Sequence, residues 1–165
     1  MHLRARGFLC AFGASIMVSA LAANERSPSY SGFSLGMSKS EASAIHPEVQ
    51  WKPAMPAPPE KFLRKEFEGE LFDRTATVTV DLDPSESEVR MIGFTFGAQT
   101  TQQCISDAVR ALAALESQFG EPTEVSHEPP GKRVKWASTS PVVRWGELCA
   151  AGALRYYITY AQNGG

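Results

Sequence analysis

Three groups of side chains in this 165-residue chain have the types and spacing for chemistry: the histidines His46 and His127, the acids Glu66, Glu68, Glu70 and Asp73, and the cysteines Cys104 and Cys149. Acid–base work by a histidine needs a carboxylate or nucleophile within hydrogen-bond reach, and no motif supplies one. The sequence has no Gly-x-Ser-x-Gly elbow, no phosphate-cradling Gly-rich loop and no His-Glu-x-x-His. His46 stands before Pro47 at an expected helix end, where a cationic imidazole suits the helix dipole. His127 lies in a Pro-rich loop, either as a solvated residue or as a pH-sensitive contact point. On a strand, Glu66, Glu68 and Glu70 would share one face. Such a row resembles a cation site, but calcium usually takes six or more oxygens from a tight loop. Lys61, Arg64 and Lys65 nearby indicate a mixed, solvated face, and Asp81, Asp83, Glu86 and Glu88 read the same way. No catalytic residue, cofactor site or metal site is assigned on this basis.

The cysteines depend on compartment. Arg4 and Arg6 precede an apolar run from Gly7 to Ala20, and Ala20-Leu21-Ala22 offers small residues at the two positions a signal peptidase reads. The expectation is a signal peptide over 1–22, too short for a membrane span, and an exported chain in the periplasm or outside the cell. Cys10 follows Gly7-Phe8-Leu9, which puts Leu where a lipobox wants a small residue. Cleavage leaves 14 Lys plus Arg against 18 acids, a net charge near −4. That balance gives no electrostatic footprint for nucleic acid. The two cysteines left after cleavage, Cys104 and Cys149, read as a disulfide in an exported chain. Two distant cysteines with only His46 and His127 to help make a poor zinc site.

These groups must be positioned by the elements between residues 33 and 162, after a loose mature N-terminus over 23–32. Ser38 with Glu41 forms a capping box, so a short helix starts there and stops near His46, before Pro47. From Pro47 to Glu60 the chain carries five of its eleven prolines, with Trp51 as its one large apolar anchor. Phe67–Phe72 is a weaker strand signal. In Thr75–Leu82, Ala76, Val78, Val80 and Leu82 alternate with polar residues, and Val89–Phe96 returns as a further strand. Thr100 with Gln103 opens the best helix. Its stripe is Cys104, Ile105, Ala108, Ala111, Leu112, Leu115 and Phe119, closed by Gly120 and Pro122. Three strands follow, near Arg133–Ser138, Val142–Cys149 and Ala153–Ala161. The pattern predicts an α+β domain: an antiparallel sheet with helices packed on one face, in two helix-plus-three-strand halves.

The aromatics Trp136, Trp145, Tyr156, Tyr157 and Tyr160 crowd the last thirty residues. Trp136, Tyr156 and Tyr160 are expected in the core. Tyr157 alternates with Arg155 and Thr159 and is the better candidate for a free face, where an aromatic anchors a partner well.

Phe33-Ser34-Leu35-Gly36-Met37-Ser38-Lys39-Ser40-Glu41-Ala42 resembles the opening of small bacterial envelope proteins of the SmpA/OmlA (BamE) type, in which a Gly-Met-Ser/Thr turn caps a helix ending in a Gly-x-Pro corner. That corner stands at Gly120-Glu121-Pro122 in the second helix, whereas His46-Pro47 ends the first. The wider fold group includes the β-lactamase inhibitor proteins, built from tandem helix-plus-sheet repeats. The resemblance implies an architecture and an envelope location; it carries over no partner and no catalytic residue. The expected function is an exported protein-binding or accessory module, of inhibitor, immunity or assembly type, without catalysis or cofactor. Its partner would be another envelope or secreted protein, met through Tyr157, Arg155, His127 and Trp51. The alternatives are a small hydrolase or metal-dependent enzyme using His46 or His127 with nearby carboxylates, and a carrier of an apolar ligand.

Overall fold

The computed structural model describes residues 29–54, 62–127, 129, 131–150 and 152–163. The expected signal peptide and part of the Pro-rich stretch lie outside these residues. In chain order the elements are β1 (Ser29–Tyr30), β2 (Phe33–Ser34), α1 (Lys39–Ala44), β3 (Lys52–Pro53), β4 (Leu63–Leu71), β5 (Arg74–Leu82), β6 (Val89–Gly97), α2 (Thr101–Phe119), β7 (Glu124–Ser126), β8 (Arg133–Trp136), β9 (Val142–Leu148) and β10 (Arg155–Ala161). No described helix is long and apolar enough to cross a membrane.

The expected α+β domain with a layer of helices is corrected by this architecture, which is β-rich. One eight-stranded antiparallel sheet, in the order β3-β4-β5-β6-β10-β9-β8-β7, dominates it, beside a two-stranded hairpin of β1 and β2. Only two helices accompany the described strands, and α1 has six residues. The physical reason lies at His46-Pro47. The chain leaves helical geometry at Ile45 (ψ 123°) and passes through His46 at φ 51°, so α1 is too short to cover a sheet face. The β1–β2 hairpin fills the remaining space, starting inside the segment expected to be loose. Ser31 and Gly32 both take positive φ at its turn, as a two-residue hairpin prefers, and Tyr30 stacks on Tyr160 at 4.1 Å.

Each half of the sheet is a four-stranded meander rather than three strands, the extra members being the short edge strands β3 and β7. The halves meet where β6 pairs with β10, from Met91 opposite Ala161 to Gly97 opposite Arg155. Strand alternation then separates two faces. Val78, Val80, Ile92, Phe94, Phe96, Trp145, Tyr156, Ile158 and Tyr160 are buried on one. The three aromatics expected in the core, Trp136, Tyr156 and Tyr160, are at most 2% exposed.

Both helix starts follow their caps. The Ser38 hydroxyl accepts from the Glu41 amide, and the Glu41 carboxylate accepts from the Ser38 amide at 3.0 Å. Thr100 accepts from the Gln103 amide at 3.1 Å, while the Gln103 side chain accepts from Gln99 rather than from the cap residue. The α2 stripe buries Cys104, Ala108, Ala111, Leu112 and Leu115, whereas Ile105 is 40% exposed. Cys104 and Cys149 are bonded, joining the first turn of α2 to the end of β9.

Asp107 also belongs to the buried stripe. Its carboxylate pairs with Arg74 on β5 and with Arg110 on its own helix. The Arg74 guanidinium, assisted by Arg110, holds the Asp107 carboxyl below its ordinary value against the opposing effect of burial. A depressed folded-state value means a contribution present in full above the unfolded value of about 3.9, and lost as pH falls through the folded one. Asp107→Asn is expected to cost about 2 kcal/mol at neutral pH, below the range for fully buried pairs because Arg110 is largely exposed. Urea unfolding at neutral pH and near pH 3 checks this. The variant should lose less stability on acidification than the natural chain; equal acid losses would remove Asp107 from the linkage.

Candidate functional site

The second face of the eight-stranded sheet carries no helix or hairpin among the described residues. Its composition follows from register. One row across the strands reads Glu66, Thr79, Gly93, Thr159, Arg144, Lys135 and Glu124. The next reads Glu68, Thr77, Thr95, Tyr157, Gly146, Arg133 and Ser126. The centre is therefore small and β-branched. Carboxylates stand on β4 at one side, and guanidiniums with one ammonium stand on β8, β9 and β10 at the other.

Glycine makes two close approaches possible. A β-carbon at Gly146 would fall 2.4 Å from the Tyr157 ring, which lies across this glycine from the neighbouring strand. One at Gly93 would fall 2.6 Å from the Thr79 hydroxyl. Tyr157 is thus half-buried, flat on the sheet, and held for contact at little entropic cost. It borders a hollow of about 350 Å³ with Arg133, Lys135, Arg144 and Ser126. Lys135 is tied to Glu124 at 2.8 Å on the edge strand.

The four residues expected to meet a partner do not form one patch. Tyr157 and the exposed Arg155 share β10 and the free face. His127 follows β7 directly and is exposed. Trp51 lies at the opposite edge and on the covered side. Its indole N–H donates to the Ser43 hydroxyl at 2.9 Å, and its ring faces the Lys65 ammonium at 5.3 Å.

The other chemical candidates are likewise separated. The His46 ring lies 4.3 Å from that of Phe67, and its Nδ1 is 3.1 Å from Glu48. His127 is at the far edge of the sheet, beyond β7. Glu66, Glu68 and Glu70 do share one exposed face of β4. Around the β5–β6 turn, Asp81 takes a two-pronged contact from Arg64 at 2.6 and 2.8 Å, and Glu86 meets Lys39 at 2.7 Å. Burial would raise the Asp83 carboxyl, but the Ser85 hydroxyl, the Glu88 and Ser87 amides and the Ser87 hydroxyl outweigh it and hold it well below the carboxylate range. Among the described residues, no three His, Cys, Asp or Glu side chains converge to hold a metal ion.

Two charges expected on solvated faces are buried instead, Lys65 at 1% and Asp81 at 0% exposed. For Lys65 the signal is alternation itself, since it falls between Leu63 and Phe67 on the apolar face of β4. Compared with known protein families, curated proteins and solved structures, the chain matches none.

Proposed function

We propose that the protein is an exported protein-binding module, acting in the periplasm or outside the cell, that meets one folded protein partner through the free sheet face. The observation that carries this reading is the face itself: a flat floor of threonine and glycine with Tyr157 at its centre, between a Glu wing and an Arg/Lys wing. Its five long strands, β4, β5, β6, β10 and β9, have seven to nine residues each. At about 4.8 Å between strands and about 3.4 Å per residue they present roughly 600 Å², most of the ~800 Å² that each side of a standard interface buries. The disulfide fits an oxidising compartment, and the resemblance of the first helix start to SmpA/OmlA-type proteins agrees with the envelope. The partner should be basic opposite Glu66, Glu68 and Glu70 and acidic opposite Arg133, Arg144 and Arg155, because charge complementarity fixes orientation as well as association rate.

The test is affinity capture by the oxidised protein from a cross-linked envelope extract, followed by affinity measurement with the captured partner. Tyr157→Ala should weaken binding by about thirtyfold, as for a central aromatic anchor. Reversing Arg144 and Arg155 to Glu should slow association and remove much of its salt dependence. A partner that binds all three forms of the face equally well does not use it, and the proposal then fails.

A further inference from the structure

A second cleft lies on the covered side of the sheet, where α2 passes over the starts of β5 and β10. It is an open hollow of about 410 Å³, within the size range of small-ligand sites. Its polar wall is the Asp107 carboxylate between Arg74 and Arg110, with Tyr156 beside them. Asp107 and Tyr156 are 4% and 2% exposed, so this wall is built into the fold. Its apolar side is Phe72 with Ala111 and Ala114 of α2.

Two features go beyond a structural ion pair. The first is charge. Two guanidiniums share one carboxylate, leaving one positive charge uncompensated beside apolar surface. Each arginine places one terminal nitrogen on Asp107, Arg74 on Oδ2 and Arg110 on Oδ1. A guanidinium carries five N–H donors, more than one such contact uses. Arg110, 73% exposed along its side chain, can turn towards a ligand without unfolding anything. The second feature is Phe72. A tight hairpin turn favours Asn or Gly at positive φ, yet Phe72 and Asp73 take φ 54° and 56°. The turn thereby holds a 41%-exposed phenylalanine at the cleft's mouth. A bulky side chain in that region is a genuine outlier, and such strain clusters at ligand clamps.

We infer that this cleft binds a carboxylate carried on an apolar chain. The head would take the spare N–H donors of Arg110 and Arg74, for which a planar carboxylate is the matching acceptor. The tail would lie between Phe72 and the two alanines, which leave the space a larger residue would fill. Either a free alkyl or aryl acid or the C-terminal carboxylate of a peptide ending in an apolar residue offers this chemistry. The site is independent of the free sheet face, so each reading can fail alone.

Titration calorimetry on the oxidised protein tests it with octanoate, octanol and octylamine, and with acetyl-Ala-Ala-Phe as free acid and as amide. Octanoate or the peptide acid should saturate with Kd below about 1 mM, and octanol, octylamine and the amide should bind at least about tenfold more weakly. Whichever acid binds more tightly identifies the source. Arg110→Gln should weaken the acid by about tenfold in protein that circular dichroism shows still folded at the assay temperature. Ala114→Leu should weaken it by occupying the tail's place. Failure of both acids to saturate, equal binding of octanol and octanoate, or full affinity in Arg110→Gln overturns the inference.

Discussion

Reduction of the Cys104–Cys149 disulfide is expected to lower the unfolding free energy by about 4 kcal/mol, the chain-entropy value for a loop of this length. The bonded residues are 45 apart in sequence. The loop they close contains α2 and strands β7, β8 and β9, almost the whole second half of the sheet. Opening it frees the unfolded chain without removing a hydrogen bond from the folded one. The thiols left behind are buried, with Cys104 fully inaccessible, so the folded state keeps its packing once reduced. For a chain of this size such a loss lowers Tm by roughly 8 to 16 °C. Urea unfolding with and without reductant measures the difference, and Cys104→Ala with Cys149→Ala should reproduce it without a reducing agent. A change below about 1 kcal/mol in both would mean that the reduced, unfolded chain already holds these segments together.

What the sequence made legible was local. The alternation of Ala76, Val78, Val80 and Leu82 with Thr75, Thr77 and Thr79 specifies a half-covered strand, and that is how β5 sits. The caps at Ser38 and Thr100 mark both helix starts, because an unsatisfied helix end leaves few alternatives. The even pair of cysteines gave the disulfide. The architecture was less legible because it depends on pairings between distant segments. β3 and β7 have two and three residues, too few to show a period of two, and Pro53 argues against a strand anywhere but an edge. Nothing local announces that β6 and β10 pair and so join the halves into one sheet. The shortness of the first helix was legible, because Pro47 disfavours helix in the residue before it, and α1 does end at Ala44; that the β1–β2 hairpin would pack beside it was not.

The candidate site divides in the same way. Tyr157 and Arg155 could be placed on a free face by counting from Tyr156. The opposition of a Glu wing to an Arg wing needed the register of seven strands. Asp107 and Lys65 each put a charge at a position that periodicity reserves for the core. A charge in such a place must be paired or hydrogen-bonded, so it marks where two elements are tied.

Lys65 shows how strong such a tie is, and Lys65→Met is expected to cost about 3 kcal/mol. Its ammonium donates to the carbonyls of Ile45 at 2.9 Å and His46 at 3.1 Å, with those of Ala42 and Ser43 at 3.4 Å. These are carbonyls at and beyond the end of α1, the groups a helix leaves without internal partners. No glycine cap closes α1, and its last turn has no basic residue. A lysine reaching across from β4 takes that place. Burial pulls its amine below the ordinary lysine value, opposed by Glu48, while the Trp51 ring gives the charge a second favourable contact. Methionine keeps most of the stem's packing but strands the four carbonyls, so the loss should appear first as faster hydrogen exchange in residues 41–49. Strand alternation makes the result specific. Glu66 and Glu68 point to the opposite, free face of β4. At temperatures where Lys65→Met remains folded, it should therefore bind the partner with unchanged affinity while unfolding at lower urea. Weakened binding in that folded state would show that α1 and the free face are one unit, and that the two faces of β4 do not act separately.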